Sequence, residues 1–143
     1  MYLLDTNVVS ELRKAHNGKA NVHVVAWANA VEASDMFLSV ITIQELEIGV
    51  LLAERRDAAQ GGLLRDWLET QVIPAFAGRL LPVTTEIARR SAQLHVPNPQ
   101  PVRDGLIAAT GLVHNLVVVA RNAPDFTTSA VALLNPWNTQ VTA

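Results

Sequence analysis

Hydrophobic residues along this chain occur in short continuous runs separated by longer stretches of mixed character. The runs predict five short strands, at residues 2–4, 37–40, 80–83, 116–120 and 131–134. The run at 116–120 has no polar alternation, which predicts a strand buried on both faces. Pro82 favours an edge position for the strand at 80–83, and the strand at 131–134 is expected to be peripheral.

Between the strands, apolar residues recur every three to four positions, which predicts amphipathic helices. The helices are predicted at residues 6–12, 22–31, 42–56, 63–76, 86–94 and 104–114. Thr42 is expected to open the third helix, because Thr42 and Glu45 form the T-x-x-E pattern of a capping box. Helices that alternate with strands predict a three-layer α/β/α sandwich with a mainly parallel central sheet.

The length of 143 residues predicts a single domain over 1–143. Half of the residues are apolar and the mean hydropathy is +0.22, so the chain either buries its helices deeply or leaves apolar surface for a partner. No apolar segment approaches the ~20 residues that span a bilayer, and the first residues lack the pattern of a secretory signal. The absence of cysteine fits a cytoplasmic protein, which is the expected location.

The formal net charge of -2 is unusual for a protein that binds nucleic acid. The net charge would become slightly positive if a cluster of carboxylates were neutralised by metal ions. Most of the basic residues are arginines, which suit bidentate contacts to phosphate, but they are scattered along the chain. Charge therefore neither excludes nor identifies a nucleic-acid substrate.

Four acidic residues stand where strands end or helices begin. Asp5 follows the first strand directly, and Asp125 follows the apolar run at 116–120 after a short loop. Glu45 and Asp104 lie in the first turns of predicted helices. Taken alone, Glu45, Asp104 and Asp125 each have a structural explanation, such as the favourable position of Asp104 near a helix N-terminus. Asp5 differs, because an acid directly after a buried strand is an uncommon structural choice. Ligands of open parallel sheets bind beyond the carboxyl ends of the strands, so all four are expected on one rim.

Carboxylates that gather at one place repel one another, and a fold that gathers them usually does so around a hard cation. If the four acids meet, the expected activity is metal-dependent cleavage of a phosphodiester. The expected mechanism is in-line attack by a metal-activated water.

Four motifs stand in order along the chain. They are L-L-D-T-N at 3–7, T-x-x-E-L-x-x-G at 42–49, D-x-x-I-A-A-T at 104–110 and R-N-x-x-D-F at 121–126. Together they resemble the PIN-domain family, and within it the VapC/FitB-type toxins of bacterial toxin–antitoxin pairs. A terminal N-P-W at 135–137 adds to the resemblance, which spans nearly the whole chain.

The resemblance implies a PIN-like nuclease that hydrolyses RNA as the toxin of such a pair. It also implies which residues would act. The implied catalytic and metal-binding quartet, which would hold Mg²⁺ or Mn²⁺, is Asp5, Glu45, Asp104 and Asp125. Thr6 and Asn122 match the neighbouring polar positions that support the carboxylates.

The partners implied by the resemblance are an RNA substrate, a cognate antitoxin and a second copy of the chain. A homodimer and a larger hetero-oligomer with the antitoxin are expected, with DNA bound only through the antitoxin and no membrane association. The expected antitoxin groove lies on the helices at 42–54 and 63–76 and includes Trp67, although simple core packing explains these helices equally well.

Two other functions remain open at this level. One is a PIN-fold protein that binds RNA without cutting it. The other is a Mg²⁺-binding phosphoacceptor module of signalling, which also places acids on one rim of a parallel sheet. That module typically has paired acids after the first strand and a lysine at the far edge, whereas Lys14 and Lys19 are the only lysines and both are early.

Overall fold

A parallel sheet runs through the centre of the protein. The computed structural model describes residues 1–121 and 130–138. The strands in this part of the chain are β1 (Tyr2–Leu4), β2 (Met36–Ser39), β3 (Leu80–Leu81), β4 (Val117–Val119) and β5 (Leu133–Leu134). Their order in the sheet is β3-β2-β1-β4-β5, and every neighbouring pair is parallel. The predicted strands and their parallel arrangement are confirmed.

Helices connect the strands. The α-helices of the described residues are α1 (Thr6–Arg13), α2 (Val22–Ala30), α3 (Val40–Arg56), α4 (Ala58–Trp67), α5 (Ile73–Ala75), α6 (Thr85–Leu94) and α7 (Val102–His114). A π-helical turn, Leu68–Val72, joins α4 to α5, and short 3-10 turns occupy Lys14–Asn17 and Ala33–Asp35.

The core is divided by the sheet into two apolar clusters, because successive side chains of a strand point to opposite faces. Leu4 and Val119 belong to one cluster, which includes residues of α1, α2 and α3. Leu3 and Val118 belong to the other, which includes Ile107 of α7. Helices therefore cover both faces of the sheet, and the predicted three-layer α/β/α fold is confirmed.

The sheet edges follow from local sequence. β3 pairs with β2 alone and is followed by Pro82, which has no backbone N–H to donate to a further strand. β5 occupies the opposite edge, as expected for a peripheral strand. β1 and β4 lie in the middle, so the residues that follow them come close together at one end of the sheet.

Two predicted helix starts are wrong. α3 begins at Val40, because the hydroxyl of Ser39 caps it by accepting from the N–H of Ile41 at 3.0 Å. Thr42 is instead buried inside the helix, so no capping box forms with Glu45. α4 begins at Ala58, five residues early, because the side chain of Asp57 caps it. In both cases a serine or an aspartate took the capping position ahead of the predicted start.

No helix in the described part of the chain has both the length and the apolar character needed to cross a bilayer.

Candidate active site

Three of the predicted acids line one open cavity of about 450 Å³ at the carboxyl end of the sheet. Asp5 follows β1, Glu45 lies in the second turn of α3, and Asp104 lies in the first turn of α7. The described residues that line the cavity are Asp5, Thr6, Asn7, Ser10, Glu11, Lys14, Glu45, Asp104, Arg121 and Trp137. Asp5 and Asp104, which are 99 positions apart in sequence, thus reach the same cavity.

Asp5 is placed by the centre of the sheet. Its backbone N–H donates to the carbonyl oxygen of Val119 at 2.9 Å, which continues the pairing of β1 with β4 by one residue. Asp5 also has the extended backbone of an N-cap, and its carbonyl oxygen accepts from the N–H of Val8 and of Val9 as α1 starts. The side chain is therefore carried by a strand end and a helix start that are both fixed.

The Glu45 carboxylate contacts two side chains, those of Thr6 and Arg103. The hydroxyl of Thr6 donates to its Oε1, and the hydroxyl of Thr42 lies 3.4 Å from that of Thr6. Arg103, which is half exposed, places Nη1 at 3.4 Å from Oε2 of Glu45. Thr6 was expected to support the carboxylates and contacts one of them directly. Because Ser39 rather than Thr42 caps α3, the Glu45 side chain is not needed at the helix terminus.

Asp104 is placed by the close packing of α7 against α6. A Cβ atom on the next residue, Gly105, would lie 3.1 Å from both Nε2 of His95 and Oγ of Ser91. His95 also accepts, through Nδ1, a hydrogen bond from the backbone N–H of Gln100 at 3.0 Å. The proline-rich loop at 96–101 is thus tied to the end of α6, and it delivers α7 with Asp104 in its first turn.

The remaining predicted site residues, Asn122 and Asp125, lie outside the described residues. Within the residues that are described, no three His, Cys, Asp or Glu side chains are grouped closely enough to form a complete metal site. Asp5, Glu45 and Asp104 therefore share a cavity without forming a closed cage.

The chemistry of the lining fits a hard divalent cation. Its described potential ligands are carboxylate, amide and hydroxyl oxygens, without sulfur or imidazole, and Mg²⁺ and Mn²⁺ prefer oxygen. Oδ1 of Asn7 is buried and has no hydrogen-bond partner among the described residues. A buried acceptor without a partner costs about 1–3 kcal/mol, so a water or a cation that met it would be favoured. Asn7, within the L-L-D-T-N motif, was not among the predicted site residues.

Lys14 and Arg121 are the basic residues of the described lining, and both interact with Glu11. Nζ of Lys14 lies 3.1 Å from Oε1 of Glu11, and the backbone N–H of Asn21 donates to Oε2 of Glu11 at 2.8 Å. The hydrogen bond from Asn21, followed by Lys14 and the charge of Arg121, holds the pKa of Glu11 below its ordinary value of 4.5. Arg121 places its guanidinium carbon 5.2 Å from the ring centroid of Trp137.

These basic and aromatic residues were missed as site residues. Arg121 and Trp137 do belong to motifs that carry the resemblance, R-N-x-x-D-F and N-P-W, and that was the available signal. Glu11 and Lys14 had none, since their place in the cavity depends on how α1 packs. A second cavity of about 450 Å³, lined by α6 residues including Arg89 and by Val113 of α7, contains no predicted site residue.

Known proteins resemble this chain over almost its whole length. A family model described as PIN domain matches residues 2–127. Toxin FitB of Neisseria gonorrhoeae is 37% identical over 143 residues, which covers 96% of this chain and 99% of that protein. VapC ribonuclease Y4jK of Sinorhizobium fredii is 36% identical over 142 residues, which covers 96% and 98%.

Solved structures of related proteins have the same fold as this chain. The crystal structure of FitAcB from Neisseria gonorrhoeae superposes with a TM-score of 0.86 at 37% identity and covers 96% of this chain and 99% of that one. The structure of FitAB bound to an IR36 DNA fragment gives a TM-score of 0.88 at 34% identity, with both chains fully covered. From the match of the family model and from these relatives, this chain belongs to the PIN domain family.

Proposed function

We propose that this PIN-domain protein is a metal-dependent endoribonuclease that acts as the toxin of a toxin–antitoxin pair. The observation that carries the proposal is that Asp5, Glu45 and Asp104, from three separate elements, line one cavity at the carboxyl end of the sheet. The names of the relatives, which include a VapC ribonuclease and a FitB toxin, support both halves of the proposal.

The proposed metal is Mg²⁺ or Mn²⁺, held by Asp5, Glu45 and Asp104 with Asp125 as the fourth acid. When bound, such an ion lowers the pKa of a water molecule and stabilises the charge on a leaving oxygen of a phosphodiester. The protein side chains orient the site. Thr6 holds one oxygen of Glu45 by its hydroxyl, and the fixed backbone of Asp5 keeps its carboxylate at the end of β1.

The decisive test is cleavage of RNA by Asp104→Asn, which keeps the shape of the side chain and removes its charge. We expect the variant to fold and to lose at least about a hundredfold in cleavage rate, since the charge that holds the metal is gone. Addition of a chelator to the wild-type protein is expected to abolish cleavage, and excess Mg²⁺ should restore it. Gel analysis of a labelled RNA measures the rate, and circular dichroism checks the fold.

The matched control is Asp66→Asn, which makes the same change at an exposed position of α4 that does not line the cavity. This variant should cleave like the wild type. Cleavage that survives in Asp104→Asn, or that persists with chelator, would contradict the metal-dependent mechanism. Binding of RNA without any cleavage by the wild type would favour the alternative of a PIN-fold RNA-binding protein.

The proposed partner is an antitoxin that covers the α3–α4 hairpin, and through it the complex would bind DNA. Leu51, Leu52 and Leu63 of this hairpin are 50%, 56% and 67% exposed, which is apolar surface suited to a partner. Trp67, which is expected in the groove, is partly buried and packs against the main core cluster, with the guanidinium of Arg13 5.9 Å from its ring centroid. The solved relatives include FitAB on DNA, which supports such an assembly.

A homodimer is proposed as well. Size-exclusion chromatography with light scattering on the isolated protein measures it directly. A dimer is the expected result, and a monomer at all concentrations would contradict this part of the proposal.

A further inference from the structure

The cavity that is proposed to cut RNA has a lining that should repel it. Four of its described residues are acidic, namely Asp5, Glu11, Glu45 and Asp104. RNA carries a negative charge on every nucleotide, and binding depends on basic side chains that replace its counterions. A divalent cation at the acids would reduce this repulsion, and basic residues of the lining would attract the RNA directly.

The basic residues near the cavity are not equivalent. Lys14 forms a salt bridge with Glu11 at 3.1 Å, and Arg103 forms one with Glu45 at 3.4 Å. Arg121 also lines the cavity, and within the described part of the chain it forms no salt bridge. Its guanidinium contacts an aromatic ring instead, which attracts the cation without neutralising its charge.

Arg121 is fastened by two independent contacts with the C-terminal segment. Its side chain lies over the indole of Trp137, with 5.2 Å between the guanidinium carbon and the ring centroid. Its backbone carbonyl oxygen accepts a hydrogen bond from Nδ2 of Asn135 at 3.1 Å. Oδ1 of Asn135 in turn accepts from the backbone N–H of Trp137 at 2.9 Å. One asparagine therefore holds both the arginine backbone and the residue that carries the ring.

Trp137 is itself anchored. It is partly buried and packs against the main core cluster, so the ring is a fixed support rather than a mobile side chain. Arg121 is exposed beyond that support. A guanidinium that is held on an aromatic ring at the rim of a cavity keeps N–H donors available, and phosphate is the ligand whose geometry they match in pairs.

We infer that Arg121 contacts a backbone phosphate of single-stranded RNA beside the acidic site, and that Trp137 and Asn135 are the positioning residues that hold it there. This inference rests on the proposed function, because it assigns the substrate contact of the same cavity. Arg121 supplies the charge, and the indole of Trp137 holds the guanidinium without neutralising it.

The test is RNA binding by Arg121→Gln, measured as fluorescence anisotropy of a fluorescein-labelled single-stranded RNA, with a chelator present so that no cleavage occurs. We expect about a tenfold higher Kd. The slope of log K against log salt concentration should fall by about 0.7, the value for one lost phosphate contact on a single strand. Arg89→Gln, at an exposed position of α6 that lines the other cavity, is the matched control and should change neither quantity.

The positioning role of Trp137 is tested by a pair of variants. Trp137→Leu keeps apolar bulk and removes the ring, and it should raise the Kd about threefold. Trp137→Phe restores a ring and should recover most of the affinity. Because Trp137 packs on the core, both variants are measured well below their melting temperatures. A purely structural tryptophan would lower the melting temperature in both and leave the Kd of both unchanged.

The outcomes separate this inference from the proposed function. Arg121→Gln that binds RNA with the wild-type affinity and salt slope would overturn the inference, even if the wild type cleaves RNA. An Arg121-dependent affinity in a wild type that never cleaves would uphold the inference and overturn the nuclease. A wild type that neither binds RNA in this assay nor cleaves it with Mg²⁺ present would overturn both.

Discussion

Glutamates and aspartates gather in two regions of this molecule, and the two gatherings are neutralised differently. On the α3–α4 hairpin, three glutamates surround Arg65. Its guanidinium donates to both carboxylate oxygens of Glu47, at 2.8 and 2.7 Å, and reaches Glu54 at 3.3 Å and Glu69 at 3.4 Å. The contact with Glu47 is the main reason that the pKa of Glu47 is lowered and that of Arg65 raised. This cluster is complete without any ligand.

The acids of the cavity are not grouped around one arginine as the acids at Arg65 are. Asp5, Glu45 and Asp104 come from different parts of the sheet edge, and Glu45 meets Arg103 through one 3.4 Å contact from a side chain that is 51% exposed. A single exposed contact of this kind contributes little to stability. The acids around Arg65 are explained by one structural arginine, whereas acids that come from separate elements and line an open cavity indicate a ligand site.

The structural cluster can be broken through the packing that brings its helices together. A Cβ on Gly61 of α4 would lie 2.5 Å from the Cα of Glu54 of α3, far inside contact distance. Gly61→Ala should therefore force the helices apart and lower the free energy of unfolding by about 2 kcal/mol. Urea denaturation measures the change.

Gly62 is the matched control, because a Cβ there meets nothing within 4 Å. Gly62→Ala should stabilise the protein by roughly 0.5–1 kcal/mol, the usual gain from alanine in a helix. Equal stability changes in the two variants would contradict the close α3–α4 packing.

Removal of Arg65, the cation at the centre of this cluster, should have a smaller effect on stability. Arg65→Ala leaves three glutamates close together without their arginine, and the melting temperature should fall by a few degrees. The rate of RNA cleavage at a temperature well below melting should be unchanged, because this cluster does not line the cavity. A fall in cleavage that exceeds the loss of folded protein would show that the two clusters are not independent.

Glu11 lines the cavity, but like the acids around Arg65 it has charged and hydrogen-bonding partners within the protein. Its lowered pKa means that its hydrogen bond to Asn21 and its salt bridge to Lys14 stabilise the protein above the ordinary pKa of 4.5. That stabilisation is lost as the pH falls through the lowered pKa. Glu11→Gln should cost about 0.5 kcal/mol at neutral pH. Thermal melts should show the gap from wild type closing at acidic pH, and a gap that persists there would contradict this explanation.

Much of the fold followed from pattern alone. The apolar runs located the strands, and alternation with helices predicted the parallel three-layer arrangement that the structure has. The start of α3 was harder to predict from sequence, because Thr42 and Ser39 both suit a capping position and only the end of β2 decides between them. Local signals of similar strength compete at such boundaries, and tertiary structure selects one.

The candidate site divides in the same way. Glu45 and Glu47 stand two residues apart on α3, about 200° apart around the helix axis, and lead to different clusters. The family motif singles out Glu45, whereas a count of acids treats both alike. From the sequence, Arg121 and Trp137 could be identified only as motif residues, since their contact depends on where the C-terminal segment lies beside β4.

The proposed function requires that the acids of the cavity bind a divalent cation and that the acids around Arg65 do not. Electron paramagnetic resonance of Mn²⁺, titrated into metal-free protein, measures this directly because bound Mn²⁺ loses its sharp solution signal. We predict that Asp5→Asn and Asp104→Asn bind Mn²⁺ at least about tenfold more weakly than the wild type, while Glu54→Gln binds it unchanged. Wild-type affinity in both aspartate variants would show that the cavity does not bind the cation.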